Sequence, residues 1–114
     1  MEIKSKIEDE KLVLSHSWTD WLNPNTIMEN KFSVPIDEVY EIISREGPKG
    51  GFKGMDILSK ERNSYITHMN GAYETNHKIL KSYSIYDRDA RNLFKDLQGL
   101  LVNYKIRFNI ILDK

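Results

Sequence analysis

A chain of 114 residues with 17 basic and 17 acidic side chains and 39% apolar residues suffices for one domain, 1–114, with one core. Neutral net charge argues against strong duplex nucleic-acid affinity, which rests on phosphate neutralisation. With no cysteine, no run of membrane-span length and no apolar signal core at the start, disulfides and thiolate chemistry are excluded and a cytoplasmic protein away from the membrane is expected.

Glu2 to Ser17 alternates in two runs about the polar turn Glu8-Asp9-Glu10-Lys11, which predicts a hairpin. Trp18 to Asn25, with two tryptophans three apart and Asn23-Pro24, reads as a loop. Thr26 to Ser33 is a weaker strand pattern carrying Ile27, Met28 and Phe32. Pro35 to Glu46 spaces Ile36, Val39, Tyr40 and Ile43 as one helical face, with Pro35 at its entry and Gly47 at its end. Asp37, Glu38 and Glu41 would make the other face of that helix acidic.

Gly47 to Gly54 holds four of the six glycines and is the most flexible stretch. Met55 to Lys60 fits a short strand or a helical turn. Glu61 to Ser64 reads as a turn, Ser64 to Met69 as a strand, Asn70-Gly71 as a hairpin turn and Tyr73 to Tyr86 as a strand, clearest over Lys78 to Ile85. From Asp87, Ala90, Leu93, Phe94, Leu97, Leu100 and Leu101 share a helical face opposite Arg88, Arg91, Lys95, Asp96 and Gln98. Asp87 suits the N-cap and Asn103 the stop. Tyr104 to Leu112 then alternates as a strand with one well-buried face, Tyr104, Ile106, Phe108, Ile110 and Leu112. The order β-β-(β)-α-β-β-α-β predicts an α+β, two-layer domain, a mostly antiparallel sheet with two helices packed on one face.

Motifs for chemistry are scarce. The glycine-rich loop lacks the P-loop pattern, because Lys53 is followed by Gly54 and Met55. His16, His68 and His77 show no metal-ligand spacing, though strands can bring distant histidines together as an acid–base pair. Asp87 and Asp89 fit helix capping better than a divalent-cation site. No catalytic residue, metal or cofactor is expected. Residues 1–46 carry 10 acids and 5 bases, and residues 47–114 carry 7 acids and 12 bases. That split makes an acidic and a basic surface, or interleaved halves that neutralise each other.

Two binding sets stand out. Trp18, Asp20 and Trp21, with Asp37, Glu38 and Glu41, combine aromatic anchors and carboxylates suited to a basic protein partner. Lys49, Phe52, Lys53, Lys60 and Arg62 form the alternative, a nucleic-acid-binding or nuclease-like surface. A homodimer paired through Tyr104 to Leu112 is a further alternative if that strand lies at a sheet edge.

Trp21-Leu22-Asn23-Pro24 is similar to a short stretch in the immunity proteins of tRNA-cleaving colicins, over four of the 114 residues. The general character also resembles immunity proteins of contact-dependent inhibition and related toxin systems. That resemblance implies a stoichiometric inhibitor that covers a toxin's active site with an acidic surface. The neutral net charge departs from it and requires the acidic half to be spatially segregated.

Overall fold

The computed structural model describes residues 2–69, 71–87 and 89–112. Strands β1 (Glu2–Glu8) and β2 (Lys11–Thr19) form the expected hairpin, and β3 (Ile27–Pro35) completes a three-stranded antiparallel sheet in the order β1-β2-β3. Leu12 and Leu14 alternate inward with Ile3 and Val34, so one face of this sheet is the core face.

The β1–β2 turn is strained. Asp9 and Glu10 both have positive φ, 51° and 61°, as a two-residue primed turn requires. Aspartate tolerates that conformation; glutamate crowds its Cβ against the backbone. The Glu10 carbonyl accepts the Ile36 N–H at 3.0 Å, which fixes the turn. Glu10→Gly keeps that bond and should raise stability by about 1 kcal/mol. The expected readout is a melting temperature higher by roughly 5 °C; an unchanged or lower one contradicts the strain.

The predicted helix over Pro35 to Glu46 is corrected. A single 3₁₀ turn covers Ile36–Glu38, and Val39–Glu46 is strand β4. The helical spacing came from a bulge. The β4 register slips between Val39 and Glu41, so Val39 and Ile42 face the core although three residues apart. Ile43 is buried on the opposite face, because both faces of β4 are covered.

A second sheet runs β6-β5-β4-β7. Strand β5 (Phe52–Met69) is continuous through the expected turn at Glu61 to Ser64, and it pairs antiparallel with β4 and with β6 (Tyr73–Ser84). Asn70, in the expected Asn-Gly turn, lies outside the described residues, as does Arg88. The glycine-rich stretch is the β4–β5 turn, closed by the Gly47 N–H on the Gly51 carbonyl at 2.7 Å. Helix α1 spans Ala90–Leu100, shorter than expected, with Asp89 rather than Asp87 at its N-cap. Asp87 instead closes the turn before it, accepting from the Ser84 N–H at 2.7 Å.

The core lies between the inner face of the second sheet and a layer made by the three-stranded sheet and α1. Ile42, Met55, Ile57 and Tyr83 meet Leu12, Leu14 and Val34 there, together with Leu93, Phe94 and Leu97 of the helix. The Ile3 N–H donates to Asp89 at 3.3 Å, tying β1 to the helix start. The fold is α+β and mostly antiparallel, with one helix and a second sheet where two helices on a single sheet were expected. Strand β7 (Arg107–Leu112) is the exception in direction, parallel to β4 and at the sheet's edge. Its expected buried face is only partly buried: Phe108 packs edge-on to Phe94 at 5.7 Å, but Ile110 and Leu112 are exposed.

The β5–β6 hairpin folds back over the outer face of its own sheet. Asp56 pairs with Ser82 in the ladder, yet it also accepts the Tyr73 hydroxyl at 2.5 Å. A straight β6 would hold Tyr73 roughly 30 Å away. Register shifts at Ile57/Leu58, Leu58/Arg62 and Arg62/Thr67 supply the bend. Beneath it Arg45 donates to Asp56 through Nε (3.0 Å) and Nη2 (3.3 Å), and Ser82 Oγ donates at 2.8 Å. Tyr40 stacks on His77 with centroids 4.0 Å apart, and His77 Nδ1 lies 2.7 Å from the Ser59 carbonyl. Burial, then the hydrogen bond to Asp56, raises the Tyr73 pKa well above the usual phenol value and keeps it a donor.

Candidate partner-binding site

The far end of the β2–β3 hairpin carries four exposed apolar side chains, Trp21, Leu22, Ile27 and Met28. The loop 20–26 closes on itself: the Asp20 N–H donates to the Thr26 carbonyl at 3.1 Å, and the Thr26 N–H to the Asn23 carbonyl at 2.8 Å. The Asp20 carboxylate accepts the Leu22 N–H at 3.0 Å, an Asx turn that spends this side chain on loop shape. Trp21, 85% exposed, and Leu22 are thereby displayed outward, with Ile27 and Met28 beside them at the start of β3.

The two tryptophans part company. Trp18 continues the inward face of β2 beyond Leu12, Leu14 and His16, and is half-buried with its ring 5.3 Å from that of His16. Only Trp21 is free to reach a partner. Leu22, Ile27 and Met28 escaped the sequence reading. The available signal was that apolar residues flanked Asn23-Pro24 at a hairpin end, where no core can reach them.

Of the carboxylates expected beside Trp18 and Trp21, Asp20 is in the loop, and Asp37, Glu38 and Glu41 are elsewhere. Lys11 pairs with Pro35 at one end of the hairpin and Thr19 with Ile27 at the other. Eight strand positions put Asp37 and Glu38, exposed in the 3₁₀ turn, roughly 25 Å from the tip. Glu41 stands in the second sheet opposite Arg107 and accepts from Asn109 at 3.4 Å. Strand β4, from the acidic half of the chain, thus lies between β5 and β7 of the basic half.

The basic alternative is also dispersed. Lys49 is on the β4–β5 turn, Phe52 is half-buried against the core, and Lys53, Lys60 and Arg62 are strung along β5. Lys60 joins Lys11, Lys105, Asp9, Glu10 and Asp37 around a groove of about 500 Å³ floored by Ile36 and Val39, where both signs of charge alternate. The histidines do not converge on one site. His68 pairs with Glu74 at 2.9 Å on the exposed hairpin, His77 lies under the fold-back, and His16 Nε2 is buried in the other sheet with no hydrogen-bond partner among the described residues. Among the described residues no three His, Asp or Glu side chains gather as a metal site, and no helix is long and apolar enough to cross a membrane.

Fold and site together define an α+β domain that presents an aromatic–aliphatic hairpin tip. Comparison with family models, curated proteins and solved structures finds no match to the chain.

Proposed function

We propose that this chain is a non-enzymatic protein-binding module that docks through the β2–β3 tip, and that its partner is a toxin domain neutralised by stoichiometric occlusion. The observation that carries the binding reading is the exposure of Trp21 and Leu22 on a loop held in shape by its own hydrogen bonds, with Ile27 and Met28 exposed where β3 begins. An exposed aromatic side chain on a preformed loop suits a contact surface, and tryptophan is the most enriched anchor. A preshaped loop also lowers the ordering cost of docking. The narrower toxin reading rests on the resemblance, whose four residues, Trp21 to Pro24, all lie on this exposed loop. Occlusion would then work by shape at an apolar anchor, with Asp37 and Glu38 too distant to share that contact. The nucleic-acid reading has less support, since its basic residues do not form one face.

The test is to purify tagged protein from its native host as wild type and as Trp21→Ala, and to weigh what accompanies each. One stoichiometric partner, toxic when produced alone, is expected with the wild type. The variant should bind it about 30-fold or more weakly, roughly 2 kcal/mol, at unchanged melting temperature. Equal retention by both proteins would move the interface off the tip. Co-purified oligonucleotide released by salt would replace the protein partner altogether.

A further inference from the structure

We infer that the free edge of β7 is a self-association surface, on which two copies of this chain pair their β7 strands antiparallel about a two-fold axis at Ile110. The two sheets have four edge strands, β1, β3, β6 and β7. Three carry protection against pairing. β1 presents Lys4, Lys6 and Glu8; β3 presents Glu29 and Lys31 and ends in Pro35; β6 carries Glu74, Lys78 and Lys81 and is broken by register shifts. β7 carries a single charge and neither a proline nor a register shift. Its ladder to β4 runs unbroken from Glu41↔Arg107 to Glu46↔Leu112. Its one charged residue, Arg107, is turned back onto the Tyr40 hydroxyl at 2.7 Å, and Asn109 onto Glu41. The opposite face leaves Ile110 and Leu112 54% and 61% exposed.

The strand is complementary to itself, which selects a second copy as the occupant. About Ile110, an antiparallel pair sets Phe108 against Leu112, Asn109 against Ile111 and Ile110 against Ile110. Six apolar side chains from two copies then line one face of a continuous eight-stranded sheet. The neutral chain sets up no net repulsion between copies. The neighbouring register, centred on Asn109, opposes Arg107 to Ile111 and Asn109 to itself. β7 belongs to the other sheet from the Trp21 tip, so this pairing is independent of the toxin reading.

The chain's lack of cysteine makes the register directly testable. Sedimentation of the unmodified protein should show the mass doubling as concentration rises, with hydrogen exchange at 107–112 slowing in parallel. Ile110→Cys should form an intermolecular disulfide on mild oxidation, because directly opposed Cα atoms lie about 4.5–5.5 Å apart, within disulfide reach. Leu112→Cys should not, since its two copies would be roughly 13 Å apart. Ile110→Lys opposes two ammonium groups on the axis and should weaken association at least about 100-fold with the fold intact. A constant monomer mass, or exchange at 107–112 that ignores concentration, overturns the proposal. So does cross-linking at 112 as efficient as at 110.

Discussion

Asp56→Ala should lower the stability of this protein by about 3–5 kcal/mol, enough to bring its melting temperature down by roughly 15 °C. Asp56 is fully buried and Arg45 nearly so. The carboxylate takes two hydrogen bonds from Arg45 and one each from Tyr73 and Ser82. Removing it strands a buried guanidinium and leaves two hydroxyl donors unpaired. Replacing both charges, as Arg45→Met with Asp56→Leu, should recover most of the loss, because a buried pair gains little over apolar residues of similar volume. Tyr73→Phe should cost about 1–3 kcal/mol, and exchange protection over 60–78 should fall first, since Tyr73 pins the folded-back hairpin to the sheet. Chemical denaturation of the four proteins measures this. An Asp56→Ala protein within about 1 kcal/mol of wild type would mean that the pair is dispensable.

Gly54→Ala should cost about 3 kcal/mol, for a different reason in the same place. A Cβ at position 54 would meet the Tyr83 carbonyl oxygen at 2.8 Å and Arg45 Cζ at 2.9 Å, and would overlap Arg45 Nη2. The carbonyl belongs to β6, whose ladder to β5 starts at Gly54↔Ser84, so it cannot swing aside. Displacing the guanidinium breaks its hold on Asp56. Gly99→Ala is the control: nothing lies within 4 Å of its Cβ, and alanine in an exposed helix position should stabilise by up to about 1 kcal/mol. If both substitutions shift the denaturation midpoint alike, the close packing at Gly54 is not what constrains that site.

The readable parts of the chain were those whose pattern has one cause. The β1–β2 hairpin alternates about a turn of polar residues, and its bounds differ little from those expected. Helix α1 has a single apolar stripe, Ala90, Leu93, Phe94 and Leu97, and every one of them is buried. Pro35 to Glu46 misled because two causes overlapped there. A bulge shifted the strand's period, and burial on both faces filled it with apolar residues, which together imitate a helical face. At Glu61 to Ser64 a run of polar residues suggested a turn, where the chain instead bends a continuous strand by slipping register.

The binding tip was half legible. Trp21 beside Asn23-Pro24 pointed to a displayed loop, but which tryptophan roofs the core depends on the parity of β2. Trp18 falls in step with Leu12 and Leu14, and that alignment is fixed only once the sheet has a neighbour. The acidic residues proposed beside the tip were separated by strand length, which no local pattern encodes.

Sequence by itself determined the α+β class, the hairpin, the last helix and the scarcity of catalytic motifs, because these follow from composition and local period. Tertiary structure decided the division into two sheets, the edge position of β7, the fold-back that buries Arg45 with Asp56, and the separation of Trp21 from Asp37 and Glu38. Each of those depends on which strands pair and in what register. Long-range pairing is selected by the burial of whole faces, an energy that no short stretch of sequence contains.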